Sequence, residues 1–385
     1  KLPPSAGARA LKAPLELLDV DMHWRKSLFQ ALQFSMDKRP KSVKIWWEAS
    51  PGYTGRSSRL LSRRRVLMGG VALLATVSGE FLYAEPLPDA LGTTFYTYRG
   101  YTSSVYTALW SHDGNSIASA GIDKIVRVWE ATSGKSLLEY KDHTSAVYTL
   151  VQSPDGKYIA SAGADKIVRV WDARTGKTVL VYKGHTGSIY TLSWSPDGGF
   201  ITSAGIDKVI RVWDARTGKT VLVYKGHTGS IYTLSWSLDG KSIASGDANG
   251  MVELWDAQTG KKFQSYRGDA TFISSVAWIS PGNHIVTGGS SATVKVWNVA
   301  TGRLAFECKG HTGAVRAVAC SLDGKYFASG SDDETIIIWE ADSGYQVLTY
   351  RGHTKVIRDV SWAPNSMSIA SVSNDRTVKI WKAAY

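Results

Sequence analysis

Cysteine is nearly absent, with two residues, Cys308 and Cys320, in a chain of 385. So few exclude a disulfide-stapled scaffold and a cysteine-rich zinc site. Long apolar runs are missing too. The longest clean one, Val66–Val77, falls short of the roughly 20 residues that cross a bilayer as a helix. Histidine pairs with metal-ligand spacing are also lacking. Of eight histidines, five recur at one position of a repeat, while His23, His112 and His284 are scattered. No metal site and no cofactor site follow from them. Glycines such as Gly184, Gly198 and Gly205 fall where turns require them, so no glycine-rich phosphate loop stands out. Charged residues make up 20 % against 43 % apolar, which excludes a fully disordered chain. The formal charge is +12, yet half of the excess lies in the first 90 residues. The remainder has no continuous basic stripe, and no specific nucleic-acid partner is expected.

What is abundant is tryptophan, with 15 residues, and glycine, with 37. A period explains both. Trp129, Trp171, Trp213, Trp255, Trp297, Trp339 and Trp381 are spaced by 42 residues without a slip. Ser119, Ser161, Ser203, Ser245, Thr287, Ser329 and Ser371 follow the same step. Each unit reads as four short strands. In the third these are Ser188–Ser195, Phe200–Ala204, Val209–Trp213 and Thr220–Tyr224, separated by turns rich in Pro, Asp and Gly. One four-stranded sheet cannot bury both faces, so seven such sheets must stack radially into a ring. Arg169–Ser195 and Arg211–Ser237 are identical over 27 residues, the mark of a duplication.

Gly-His near the start of a unit (Gly184-His185, Gly226-His227, Gly310-His311, Gly352-His353) and Trp-Asp near its end (Trp171-Asp172, Trp213-Asp214, Trp255-Asp256) resemble the WD-repeat family. The resemblance implies an all-β fold, a seven-bladed β-propeller of 42-residue repeats over residues 92–385. Trp129-Glu130, Trp297-Asn298, Trp339-Glu340 and Trp381-Lys382 depart from the dipeptide. Residues 93–98 precede the first unit and match an outermost strand, whereas the chain stops four residues after Trp381. That strand is expected to complete the last blade and close the ring, which is expected to be monomeric. Cys308 stands in the tyrosine series of the outer strands and Cys320 in the tryptophan series of the inner strands. Both read as buried apolar replacements.

His185, Ser203 and Asp207 invite a hydrolase reading, because Ser, His and Asp can form a nucleophile, a base and its orienter. The set recurs, however, as His143/Ser161/Asp165, His311/Ser329/Asp333 and His353/Ser371/Asp375, each followed by its tryptophan, Trp171, Trp339 or Trp381, as Asp207 is by Trp213. An active site need occur once, whereas a strand tie is needed in every blade. The family resemblance implies a hydrogen-bonded structural tetrad, Asp to His to Ser to Trp. Three blades depart from it. The first has Tyr101 for His, the fourth Asn249 for Asp, and the fifth Asp269, Thr287 and Ser291 for His, Ser and Asp. These blades, the fifth above all, are expected to be the least rigid.

In propellers of the resembled family, partners dock on the face formed by the loop after Gly-His and the turn carrying the tetrad Asp. Five residues after each His position lies the series Tyr106, Tyr148, Tyr190, Tyr232, Ser274, Arg316, Arg358. Asp332, Phe272 and Lys355 adjoin it. Tyrosine and arginine are the residue types most often found as binding anchors. A protein or peptide with apolar and acidic parts suits such a face. Alternatively, the tyrosines simply pack along the channel mouth as part of the repeat.

The first 91 residues lack the period. Residues 1–55 read as a helical segment, with helices expected at 21–34 and 41–48, the latter after Pro40. Residues 56–85 combine Arg56, Arg59 and Arg63–Arg65 with the apolar run, as a membrane or export segment does. Ser62-Arg63-Arg64-Arg65-Val66-Leu67 also resembles a twin-arginine export signal. Residues 63–84 then contact the membrane, and the ring lies on its non-cytoplasmic side. The alternative is a buried or interfacial helix and a cytoplasmic chain. Residues 86–91, with Pro86 and Pro88, form a linker. Residues 34–48, with Met36-Asp37-Lys38-Arg39-Pro40 and Trp46-Trp47, faintly resemble the closing segment of a bacterial serine/threonine kinase domain. The functional expectation is a non-enzymatic protein- or peptide-binding scaffold. Its alternatives are the sensor domain of a membrane-anchored kinase and a propeller hydrolase.

Overall fold

The structure is a computed structural model that describes residues 90–384 and the short strands Thr76–Val77 and Glu80–Phe81. The chain divides into two units, Lys1–Asp89 and Ala90–Tyr385. In the first, Thr76 pairs with Phe81 and Val77 with Glu80. The helical segment expected at 1–55, the kinase-like stretch and nearly all of the membrane segment lie outside the described residues. Among the described residues no helix is long and apolar enough to cross a membrane.

The second unit is seven four-stranded antiparallel sheets, six of them meanders in chain order. The third blade is Ile189–Trp194, Phe200–Gly205, Ile210–Asp214 and Thr220–Tyr224, within two residues of the expected ends. Its turns follow from local chemistry. Asp197 Oδ1 accepts from Ser195 Oγ at 2.6 Å and from Gly199 N at 2.9 Å, which folds the chain back. Gly205 has to be glycine, because a Cβ there would lie 1.9 Å from the Ser188 carbonyl oxygen. Lys208 takes a left-handed φ of 63°, as Lys124, Lys166, Glu334 and Arg376 do in the same turn of other blades.

The core lies between successive sheets rather than within one. Trp129, Trp171, Trp213, Trp255 and Trp381 have no exposed surface. The outer-strand tyrosine of one blade stacks on the tryptophan of the next: Tyr140 on Trp171 at 4.8 Å, Tyr182 on Trp213 at 4.8 Å. Such pairs add about 1 kcal/mol beyond the area they bury. Inner-strand tryptophans reach back the other way. Trp278 Nε1 donates to Ser235 O at 2.9 Å and Trp362 Nε1 to Ala319 O at 3.0 Å. Cys308 and Cys320 are free thiols in these two series, and burial pushes both up to about 12.

The seventh sheet runs Ile357–Trp362, Ser368–Ser373, Val378–Lys382 and then Thr94–Tyr98. Thr94 pairs with Trp381, Thr97 with Lys379 and Tyr98 with Val378. The two ends of the propeller therefore share one blade, as the sequence implies. At this seam the Thr or Ser hydroxyl that ties neighbouring inner strands at three other junctions is replaced by a carboxylate. Thr233 Oγ1 accepts from Val276 N at 3.0 Å and Ser275 Oγ from Val318 N at 3.0 Å. Between blades seven and one, Asp359 Oδ2 accepts from Thr107 Oγ1 at 3.0 Å and Ala108 N at 3.3 Å.

Candidate functional site

The Ser-His-Asp sets are assembled as expected and are internal to each blade. In the third, His185 Nδ1 lies 2.9 Å from Asp207 Oδ2 and Nε2 lies 2.7 Å from Ser203 Oγ. Trp213 Nε1 donates to that same oxygen at 3.2 Å. A carboxylate only accepts and an indole only donates, so Nδ1 carries the ring proton and the serine hydrogen points to Nε2. His143/Asp165/Ser161/Trp171, His311/Asp333/Ser329/Trp339 and His353/Asp375/Ser371/Trp381 repeat the arrangement. Each of these serines is fully buried, and an oxygen committed to two partners there is not presented to a substrate. Burial pushes Asp165 and Asp207 up, but the hydrogen bond from the neighbouring histidine, with the charge of Arg169 or Arg211, outweighs it and holds both at about 2. Ser329→Ala leaves His311 Nε2 and Trp339 Nε1 buried without a partner, at a cost of about 1–3 kcal/mol. A melting curve should show that loss, and an unchanged midpoint would contradict the role.

The three departing blades repair the relay differently. In the first, Tyr101 Oη donates to Ser119 Oγ at 2.6 Å and Trp129 Nε1 donates to it at 2.9 Å. In the fourth, Asn249 is not the histidine's partner. Asp247, two residues earlier, places Oδ2 3.1 Å from His227 Nδ1, though off the N–H direction, since Nδ1 forms no hydrogen bond. In the fifth, Asp269 accepts from Ser291 N at 2.9 Å and Ser290 Oγ at 3.0 Å, while Thr287 takes the Trp297 N–H at 2.9 Å. The buried side-chain atoms without a partner among the described residues, His227 Nδ1, Trp255 Nε1 and Tyr266 Oη, all belong to blade four, with the Tyr266 ring packed on Trp297 of blade five.

A second constellation lies at the channel mouth. Every inner strand carries a register shift near its start: between Val105 and Thr107, Val147 and Thr149, Ile189 and Thr191, Ile231 and Thr233, Ile273 and Ser275, Val315 and Ala317, and Ile357 and Asp359. The extra residues are Tyr106, Tyr148, Tyr190, Tyr232, Ser274, Arg316 and Arg358. A bulge residue drops out of the ladder and its side chain is re-aimed. Here all seven, with Phe272, line one cavity of about 430 Å³. Sequence reasoning found the series through the repeat, but not the bulge that turns it inward.

The lining forms a nearly continuous girdle. Ring centroids are 5.5 Å apart for Tyr106–Tyr148, 5.6 Å for Tyr148–Tyr190, 5.4 Å for Tyr190–Tyr232 and 6.4 Å for Tyr232–Phe272. Arginines cap both ends, Arg316 lying 5.1 Å from the Phe272 centroid and Arg358 5.6 Å from that of Tyr106. Burial raises the Tyr148 and Tyr190 phenols above their usual range. The two arginines differ. Asp332 grips Arg316 in a fork, with Nε–Oδ1 at 2.7 Å and Nη2–Oδ2 at 2.6 Å. Among the described residues Arg358 has only Nε bonded, to Asn374 Oδ1 at 2.9 Å. Burial, and then the like charge of Arg316, pulls Arg358 below the usual guanidinium range despite Tyr106. Ser274, the blade-five member of the series, lines the cavity with the rest, and Asn374 joins the site through its bond to Arg358. Lys355 is exposed and does not line the cavity.

A wider depression of about 640 Å³ lies over Asn249, Met251, Arg267 and Ala270. Its one charged group already donates to Ala270 O at 2.9 Å, and it draws on one corner of the ring. The mouth gathers a side chain from every blade. Among the described residues no group of His, Cys, Asp and Glu is placed to hold a metal ion.

Fold and site together define a seven-bladed propeller with buried hydrogen-bonded tetrads in four blades and converging side chains at the channel mouth. A family model described as IFT122 first beta-propeller matches residues 104–281. One described as WD domain, G-beta repeat matches residues 302–340 and 344–382. No curated protein matches the chain. The chain belongs to the WD-repeat family.

Proposed function

We propose that the ring is a non-enzymatic scaffold that binds a protein or peptide at the channel mouth. The observation that carries this reading is the convergence of seven bulge residues, one per blade, on a single aromatic and cationic cavity. Tyrosine offers large contact area at small entropic cost, and tyrosine and arginine are both enriched among the residues that dominate interface energetics. The partner suited to the face has an apolar part for the tyrosine crescent and an acidic part for the arginine end. The full chain used as bait should recover about tenfold less partner after Tyr148→Ala or Arg358→Ala, the loss expected of a central anchor. Equal recovery by wild type and both variants removes the mouth as the docking site.

The ring is further placed beyond a membrane, tethered by or exported through residues 56–85. This rests on the coincidence of Arg63–Arg65 with the apolar run Val66–Val77. Added protease should cleave the propeller in intact cells. Full protection of the ring until lysis contradicts export.

A further inference from the structure

We propose that Arg358 is the seat of a single peptide carboxylate, held beside an apolar or aromatic side chain that lies along the tyrosine crescent. The inference rests on the mouth being the docking site and names the chemistry of what docks there. Two arginines cap the crescent, and one already has a carboxylate partner. The Nε–Nη2 side of Arg316 is filled by the two Asp332 oxygens, which compensate its charge, so it adds geometry and a cation–π contact, whereas Arg358 has no carboxylate partner among the described residues. Arg358 is half-buried, and neither of its Nη atoms has a hydrogen-bond acceptor among the described residues. Leaving charged N–H donors unpaired in a partly desolvated wall costs stability, and an incoming carboxylate removes that cost with two parallel, charge-assisted hydrogen bonds.

The position of the guanidinium is fixed in advance. Asn374 holds Nε, and the Tyr106 ring lies beside the guanidinium with its centroid 5.6 Å from Cζ. Little side-chain entropy is then left to lose on binding. The crescent begins at Tyr106 itself, since Tyr106 and Tyr148 are 5.5 Å apart. A residue bonded to Arg358 therefore has its chain neighbours over aromatic rings. Charge favours a monoanion. Arg316 and Arg358 against Asp332 leave one net positive charge at the arginine end of the mouth. A carboxylate matches that charge, whereas a phosphate dianion overshoots it. The carboxylate can come from an Asp or Glu side chain or from a chain terminus, and both present the same fork to Arg358.

The test is a selection from two immobilised random hexapeptide libraries, one amidated and one ending in a free acid, both including phosphoserine. The folded full chain is the probe, with Arg358→Gln in parallel. Selected amidated peptides should be enriched in Asp or Glu next to Leu, Phe, Tyr or Trp if the carboxylate comes from a side chain. Enrichment confined to the free-acid library assigns it to a terminus. For the best peptide, Arg358→Gln should raise Kd at least tenfold, while for its Gln-for-Glu or amidated counterpart the same variant should change Kd less than twofold. Arg358→Lys should recover part of the affinity, and the variant's melting curve shows that the ring is intact. Selection of peptides without a carboxylate, or of phosphopeptides in preference, overturns the carboxylate seat but leaves the mouth as the docking site. No selection above background from either library overturns both.

Discussion

Deleting Thr94–Tyr98 from the full chain should lower the melting midpoint by about 10 °C or more and broaden the transition. The strand is remote in sequence from the blade it completes. Its loss exposes the whole edge of Val378–Lys382, with which Thr94, Tyr96, Thr97 and Tyr98 pair. It also removes the stack of Tyr98 on Trp129, at 4.7 Å and 9° between planes, and the hydrogen bond between Thr94 Oγ1 and Tyr350 Oη at 2.8 Å. Lost ladder bonds at about 1 kcal/mol each and an aromatic pair of similar size already sum to roughly 5 kcal/mol. For a domain of this length, each kcal/mol moves the midpoint by a few degrees at most. The open edge is also a template for association, so the variant should aggregate more readily on heating. Adding a peptide of residues 90–99 in trans should restore part of the midpoint. A wild-type melting curve from the deletion would show that the ring does not depend on this closure.

The second large effect has the opposite sign. Asp359→Thr should stabilise the protein at pH 8 and do nothing measurable near pH 4. Thr107, Thr149, Thr191 and Thr233 occupy this position in the first four blades, so the hydroxyl is compatible with the inner strand. The carboxylate of Asp359 has no cation among its hydrogen-bond partners, only Thr107 Oγ1, Ala108 N and Val360 N. Burial outweighs these bonds and pushes it up to about 7. In the unfolded chain it titrates near 3.8. Between those values the folded state holds a proton that the unfolded state has lost, so stability falls as pH rises from about 4 to 7. Three pH units correspond to at most about 4 kcal/mol. The residue is only partly shielded from solvent, so about half of that, roughly 2 kcal/mol, is the expected gain at pH 8. The tetrad aspartates work the other way. Asp165 and Asp207, held at about 2, contribute stability above about pH 4 that is lost as the pH falls toward 2. Wild type should thus be most stable in mildly acidic solution, and the Asp359→Thr optimum should move upward. A gain that is equal at pH 4 and pH 8 would show that the carboxylate is not the cause.

The ring and its closure were legible because each depends on residues that recur. Forty-two-residue spacing of Trp, Ser and Gly-His determines strands, turns and tetrads together, and a leftover outer strand has one place to go. The bulges were less visible. In Ile189-Tyr190-Thr191-Leu192, Ile189 and Leu192 are both buried, a spacing of three that strict strand alternation forbids. That slip was the available signal. The carboxylate that faces His227 in blade four, Asp247, likewise stands two residues before Asn249, but a fixed repeat register directs attention to the wrong position. The inequality of Arg316 and Arg358 follows from Asp332 and Asn374, each 16 residues further on. Such a pairing needs the geometry of the turn to be seen. The Asp359 seam joins residues 251 and 252 apart in the chain, and no local pattern announces it.

The docking claim is tested most directly by hydrogen–deuterium exchange on the full chain with and without bound partner. Binding at the mouth should slow exchange in the segments that carry the bulges, around 104–107, 146–149, 188–191, 230–233, 314–317 and 356–359. The outer strands, such as Thr178–Tyr182 and Thr220–Tyr224, should be unaffected. Protection confined to those outer strands, with the bulge segments unchanged, would contradict the account.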